Sequence, residues 1–262
     1  MNSVNFIYDG SFEGFLTIVF DAYNEKILPE SILSEESVQT DLFAENRSVS
    51  TDMTKYERVL KGILRELGAD GLEDIKISFC SGREDKDLII FNYIRAAFKF
   101  GKRVESMYNL PQVMDYITLV QQVGYEIERC KGFIRFRELK NGILYAEYEP
   151  DNNITEYLMS YFSKRNNDDL FIIRDVRRNV FGLYNREEYI VGQWDIEAEE
   201  ETSDLAEVRR NFYSDADLIF ADLWKQYYRT VAISSRKNER LRRQYMPRRY
   251  WKYLIETEGE IQ

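Results

Sequence analysis

The chain has 262 residues, with 46 Asp and Glu against 36 Lys and Arg and a formal net charge of −10. Hydrophobic residues make up 44% and charged residues 31%, a globular rather than a disordered composition. There is no histidine, which excludes Ser–His and Cys–His catalysis and most zinc sites, and two cysteines cannot by themselves hold an iron–sulfur cluster. Any chemistry must therefore use carboxylates, Lys, Tyr or Cys, or be supplied by a partner. No metal and no cofactor is expected.

Met1–Asn5 lacks the basic start and apolar run of a signal peptide, and stretches such as Phe15–Phe20 are too short to span a bilayer. Only Cys80 and Cys130 are present, which suits a reducing compartment, so a cytoplasmic protein without membrane association is expected. With 13 Gly and 4 Pro no long linker is expected, and the whole chain, 1–262, reads as a single domain with a basic helical segment at 204–255.

In chain order, Val4–Tyr8 reads as a short strand and Asp9-Gly10-Ser11 turns it into a helix, with Ser11 as N-cap. Phe12, Phe15, Leu16, Val19, Phe20 and Tyr23 fall at helical spacing on one face. Residues 52–68 follow as a helix, with Val59, Ile63 and Leu67 four apart, and then 86–101. Val113, Ile117, Val120, Gly124 and Ile127 trace a further helical stripe that Gly132 ends. Phe133–Lys140 and Ile143–Glu149 flank Asn141-Gly142, the signature of a two-residue type I′ hairpin. That turn places Arg135 and Arg137 on the face of Ala146 and Tyr148. A short helix from Asn153 to Lys164 and a strand pair, Leu170–Arg174 with Val180–Tyr184, come next. Leu205–Ile233 reads as one or two helices anchored by Leu218, Leu223 and Trp224. Residues 236–245 form another helical segment, and Pro247 starts a last one. The pattern is α+β: a mainly antiparallel sheet packed with helices and a helical C-terminal region.

Charge is uneven along the chain. Between Lys225 and Lys252 stand ten basic residues opposed only by Glu239, so that segment carries +9 and the rest −19. Such asymmetry implies a basic contact surface on an acidic body.

The chain resembles a bacterial family described as "probable DNA metabolism protein". The resemblance rests on Tyr8-Asp9-Gly10-Ser11-Phe12-Glu13-Gly14, Gly132-Phe133-Ile134-Arg135-Phe136, Tyr145-Ala146, Pro150-Asp151, and Phe162 with Arg165. It continues through Leu223-Trp224 with Tyr227-Tyr228, Arg236 with Asn238, and Met246-Pro247-Arg248-Arg249-Tyr250-Trp251-Lys252. It implies a role beside a radical-SAM protein with a helix-hairpin-helix DNA-binding motif, or fusion to a uracil-DNA-glycosylase-like domain. It carries over no catalytic residue. Relatives often have histidine where Glu128 and Tyr161 stand here.

Candidate nucleic-acid contacts are Arg236, Lys237, Asn238, Arg240, Arg243, Arg248, Arg249, Tyr250 and Lys252. Here guanidinium groups suited to phosphates alternate with rings suited to bases. The competing readings pair these cations with the acidic stretch at 197–207 and bury Tyr250 and Trp251, or make the segment a protein-partner surface; in a mixed reading the acidic stretch covers the basic surface until DNA displaces it. Arg135 and Arg137, with Arg165, Arg174, Arg177 and Arg178, form a second basic face; its alternative is cross-strand pairing with Glu138, Glu147 and Asp175. Asp9 and Glu13 are a carboxylate pair for acid/base work or metal binding, unless Asp9 simply caps its turn. Cys80 and Cys130 read as small buried hydrophobes. Three functions stay open: a DNA repair or modification accessory protein that binds DNA and a radical-SAM or uracil-DNA-glycosylase-type partner, a metal-dependent DNA-processing enzyme using carboxylates, and a non-catalytic scaffold.

Overall fold

The computed structural model describes residues 4–35, 45–193, 212–232 and 238–257. Arg236, Lys237 and the acidic stretch at 197–207 lie outside them. The chain divides into two compact units, Met1–Gly124 and Tyr125–Gln262.

The first unit opens with strand β1 (Val4–Tyr8), helix α1 (Phe12–Glu25) and strand β2 (Pro29–Ser34), a β–α–β crossover whose strands pair in parallel. Strand β3 (Glu45–Ser48) adds on the other side of β1, again in parallel. β1 is thus the centre of a three-stranded all-parallel sheet, a feature the sequence does not announce. Val4, Phe6 and Tyr8 alternate into the core. α1 starts where expected, with Ser11 accepting from the Gly14 backbone N–H, and it buries Phe15, Leu16, Ile18 and Val19. Helix α2 (Met53–Phe79) is longer than the expected 52–68 because Gly68 bends it (φ 78°, ψ −172°) rather than ending it. Val59, Ile63 and Leu67 all face inward. Helix α3 (Lys86–Phe100) matches its expected span and carries Asp87, whose carboxylate accepts from the buried Tyr8 hydroxyl at 2.8 Å.

Helix α4 (Pro111–Phe133) runs across the division. Its buried stripe is Val113, Tyr116, Leu119, Val123, Ile127 and Cys130, rotated slightly from the stripe through Ile117, Val120 and Gly124. Burial pushes the Cys130 thiol up to about 12, with Glu126 adding to the effect, so the thiol stays protonated. Cys80 caps α2 and is only half-buried.

The second unit holds a five-stranded sheet in the order β4 (Arg137–Glu138), β5 (Leu144–Tyr148), β6 (Phe171–Asp175), β7 (Val180–Tyr184) and β8 (Tyr189–Gln193). Three of its four pairings are antiparallel, and β5–β6 is parallel. Helix α5 (Thr155–Arg165) makes that crossover and buries Leu158, Met159 and Phe162. The β4–β5 hairpin forms, but one residue out of the expected register. Only Gly142 adopts positive φ (80°), whereas a type I′ turn needs it at Asn141 as well. The Gly142 N–H therefore donates to the Leu139 carbonyl across a three-residue loop, and Arg137 faces Tyr145 instead of Ala146. In a strand a one-residue slip reverses the faces: Ala146 and Tyr148 are core, while Tyr145 and Glu147 share the other face with Arg137.

Helix α6 (Asp215–Val231) is stitched to this hairpin. Leu139 bridges Tyr213, the Lys140 N–H donates to Phe212, and the Ser214 N–H donates to Glu138. Ser214 then caps α6. A seven-residue helix, α7 (Glu239–Tyr245), and 3-10 turns at Arg248–Tyr253 and Ile255–Thr257 complete the unit. No helix among the described residues is long and apolar enough to cross a membrane.

Candidate functional site

The C-terminal cations divide into two sets. One set holds the tail down. Arg249 Nη2 lies 2.9 Å from Glu126 and 2.6 Å from Asp151, and Lys252 lies 2.6 Å from Glu149. The guanidinium of Arg242 sits 4.1 Å over the Trp251 ring and pairs with Glu239 at 3.7 Å. Tyr250 is buried and donates to Glu126 at 2.5 Å, so it is not available to stack on a base. Trp251 is buried as expected, its Nε1 donating to the Met246 carbonyl. Asn238 is the N-cap of α7, its side chain accepting from the Leu241 N–H, so its polar group is spent on the helix. The other set is Arg240, Arg243 and Arg248. All three are exposed, and none meets a carboxylate among the described residues. Arg240 and Arg243 are three apart on α7 and so share a face; Tyr245 of the same helix is also exposed.

The competing acids expected from the sequence are those at 197–207. Those acids lie outside the described residues; among the described residues the upstream carboxylates that bind the tail are Glu126, Glu149 and Asp151. Glu126 is the centre of the arrangement. Its Oε1 accepts from the Asp151 N–H, the Tyr250 hydroxyl and Arg249, and its Oε2 from the Asn152 N–H and side-chain amide. Burial alone would raise its pKa, but the hydroxyl of Tyr250, the two backbone N–H groups and the charge of Arg249 hold it below the usual carboxylate value.

The second basic face is largely paired. Arg137 is buried against Asp217, Nε to Oδ2 2.6 Å, and packs 4.2 Å over the Tyr213 ring, which removes it from any nucleic-acid surface. Arg135 donates to both oxygens of Glu256 and caps α4 through the carbonyls of Gly132 and Ile134. Arg174 meets Glu147 across β5–β6, and Arg178 meets Asp175.

Arg165, the last residue of α5, is the exception. Its one hydrogen bond among the described residues goes to the Tyr161 hydroxyl, at 3.4 Å. It stands on a cleft of about 550 Å³ between the C-terminal ends of α4 and α5. Glu128, Lys131, Arg135, Phe136 and Tyr161 also line it, so the cleft brings together two positions singled out in the sequence, Glu128 and Tyr161. Lys131 was missed. Its position three residues after Glu128, one helical turn on, was the available signal.

The Asp9–Gly14 turn is built as a cap. Asp9 Oδ1 accepts from the Ser11 N–H and hydroxyl, and Oδ2 accepts from Thr51. Against the upward push of burial these bonds lower its pKa. Glu13 is not joined to it, and no group of carboxylates and thiols suited to a metal occurs among the described residues. A Cβ on Gly14 would lie 2.4 Å from Asp9 Oδ1 and 2.9 Å from Tyr8 Cδ2. Gly14→Ala is therefore expected to cost about 1–3 kcal/mol by overpacking, read as a lower denaturation midpoint; an unchanged midpoint would show that the turn yields freely.

A different surface is uncovered on α6. Ala221 and Asp217 face inward, but Ile219, Phe220, Leu223 and Tyr227 are 57–64% exposed and form one apolar ridge. Leu223, expected as an anchor, is on this ridge rather than in the core, because Ala221 and Trp224 occupy the inward face.

These features define an α+β chain whose basic tail is clamped by the buried Glu126 and the more exposed Glu149 and Asp151, leaving a few arginines and an apolar helix face outward. Residues 84–256 match the family model of a domain of unknown function, DUF4130, and the chain belongs to that family. The match takes in the cleft, the Glu126 cluster and the tail, and leaves out the Asp9–Gly14 turn. No curated protein and no solved structure matches the chain.

Proposed function

We propose that the protein is a non-catalytic accessory factor of DNA metabolism, working in the cytoplasm, that holds DNA through the outward cations of its tail and docks a protein partner. The observation that carries this reading is the set Arg240, Arg243 and Arg248, which stays exposed and without carboxylate partners among the described residues while the neighbouring cations are consumed internally. Exposed guanidinium groups suit a phosphate backbone. The uncovered ridge of α6 supports a protein partner, since contiguous apolar surface rimmed by polar residues marks interaction sites. The resemblance in the sequence points to a radical-SAM helix-hairpin-helix protein in that role. The enzyme reading is weaker, because the oxygens of Asp9 are occupied by Ser11 and Thr51.

The test is a salt titration of binding to single- and double-stranded oligonucleotides. Each phosphate contact contributes about 0.9 to the slope of log K against log salt on duplex DNA, so Arg240, Arg243 and Arg248 changed together to Glu should flatten the slope by up to about 3. Lys252→Gln, which removes an internally paired cation, should leave the slope unchanged. Equal slopes for the triple variant and wild type would sink the DNA contact. Leu223→Glu should abolish co-purification of the partner without altering the salt slope.

A further inference from the structure

We infer that the cleft between the C-terminal ends of α4 and α5 binds one nucleotide, its phosphate on Arg165 and its unstacked base against Tyr161. The inference rests on the nucleic-acid reading above but uses none of the residues that carry it. About 550 Å³ is a volume typical of small-molecule sites. Its chemistry is cationic and aromatic together. Lys131, Arg135 and Arg165 face a single lining carboxylate, Glu128. Lys131 is paired with Glu128 at 2.6 Å and Arg135 with Glu256 at 2.8 Å. That leaves one cation on the cleft without a carboxylate partner among the described residues, Arg165, for a phosphate group.

The aromatic side is ordered. Phe162 meets Phe136 edge-on at 5.1 Å and Tyr161 edge-on at 5.0 Å, which fixes the Tyr161 ring. Lys131 Nζ lies 5.0 Å from the centroid of that ring. A base stacked on Tyr161 would gain from the ring as bases do on single-strand-binding proteins. Asn166, next to Arg165 on the cleft wall, keeps a side-chain amide with no partner among the described residues, able both to donate to and accept from a base edge.

The alternative is that these cations only complement two helix C-termini. Arg135 does so, through the carbonyls of Gly132 and Ile134. Arg165 also stands in the last turn of its helix, but it donates to no carbonyl among the described residues, only to the Tyr161 hydroxyl, which leaves most of its guanidinium for a ligand.

The experiment titrates the full chain with thymidine 5′-monophosphate, thymidine and inorganic phosphate by calorimetry. Thymidine monophosphate should bind at least tenfold more tightly than either part. Arg165→Glu and Tyr161→Ala should each weaken it tenfold or more with unchanged thermal unfolding, and Tyr161→Phe should retain most of the affinity. The triple change of Arg240, Arg243 and Arg248 to Glu should leave mononucleotide binding intact. No binding by wild type, equal binding by the Arg165 and Tyr161 variants, or phosphate binding as tightly as the nucleotide would each overturn the assignment. If the mononucleotide binds in the cleft but the oligonucleotide salt slope ignores the tail cations, the DNA contact of the tail fails and the cleft stands.

Discussion

Glu126→Ala is expected to destabilise the second unit by about 3 kcal/mol, measured as a fall in the free energy of urea unfolding. Glu126 is only 4% exposed, and its carboxylate accepts five hydrogen bonds from four residues. Removing one partner of a buried charge pair leaves the other uncompensated, at a cost of about 3–5 kcal/mol. Arg249 is partly exposed and keeps Asp151 as a second partner, which places the expectation at the lower end. The loss falls instead on the Tyr250 hydroxyl and the backbone N–H groups of Asp151 and Asn152, which lose their acceptor in the interior. Because Tyr250 and Arg249 anchor the tail, trypsin should cut the variant after Arg248 and Arg249 sooner than wild type. A loss below 1 kcal/mol would mean that water replaces the carboxylate without penalty.

The same carboxylate gives a pH dependence of known sign. Its folded pKa lies below the ordinary value of 4.5. Such a group contributes stability that is fully present above the unfolded pKa and disappears as pH falls through the folded one. The stability difference between wild type and Glu126→Gln should therefore be constant near neutrality and shrink below about pH 4.5. A difference that grew on acidification would show that the carboxyl is protonated in the native state.

Local signals in the sequence were reliable where the interaction itself is local. The turn from β1 into α1 was legible because Ser11, the apolar spacing after it and the Asp9 turn lie within a few residues. The hairpin was legible as a hairpin, but its register hung on the backbone of one residue, Asn141, and that slip decided which face Arg137 takes. The parallel pairing of β1 with β2 and β3 was not legible, because β3 is the polar Glu45–Ser48 and pairing is non-local. On α6 the helical spacing was visible but not its inward face, since the partner surface is the remote hairpin. The tail shows the same division. Its excess of cations was evident from the sequence, whereas the sorting of Arg249 and Lys252 from Arg240 and Arg243 depends on Glu126, Glu149 and Asp151, which only the fold brings near.

Asp217→Ala is expected to have the largest effect of all, about 3–5 kcal/mol. Asp217 and Arg137 are each 8% exposed, and their contact at 2.6 Å joins α6 to β4. Asp217 Oδ1 also accepts from the Glu138 N–H at 2.9 Å, so the single carboxylate satisfies a buried guanidinium and an edge-strand amide at once. Without it Arg137 loses the carboxylate it meets at 2.6 Å, and packing over the Tyr213 ring is worth less than that partner to a buried cation. The helix should loosen first. Trp224 on α6 donates to Glu256, so its emission should shift at a lower denaturant concentration than the far-ultraviolet helix signal. Replacing both partners, Arg137→Met with Asp217→Leu, should recover most of the loss, because a buried ion pair exchanged for well-packed apolar groups is often neutral. Recovery by the double variant with little loss in either single one would show that the pair is not the clamp holding α6 to the sheet.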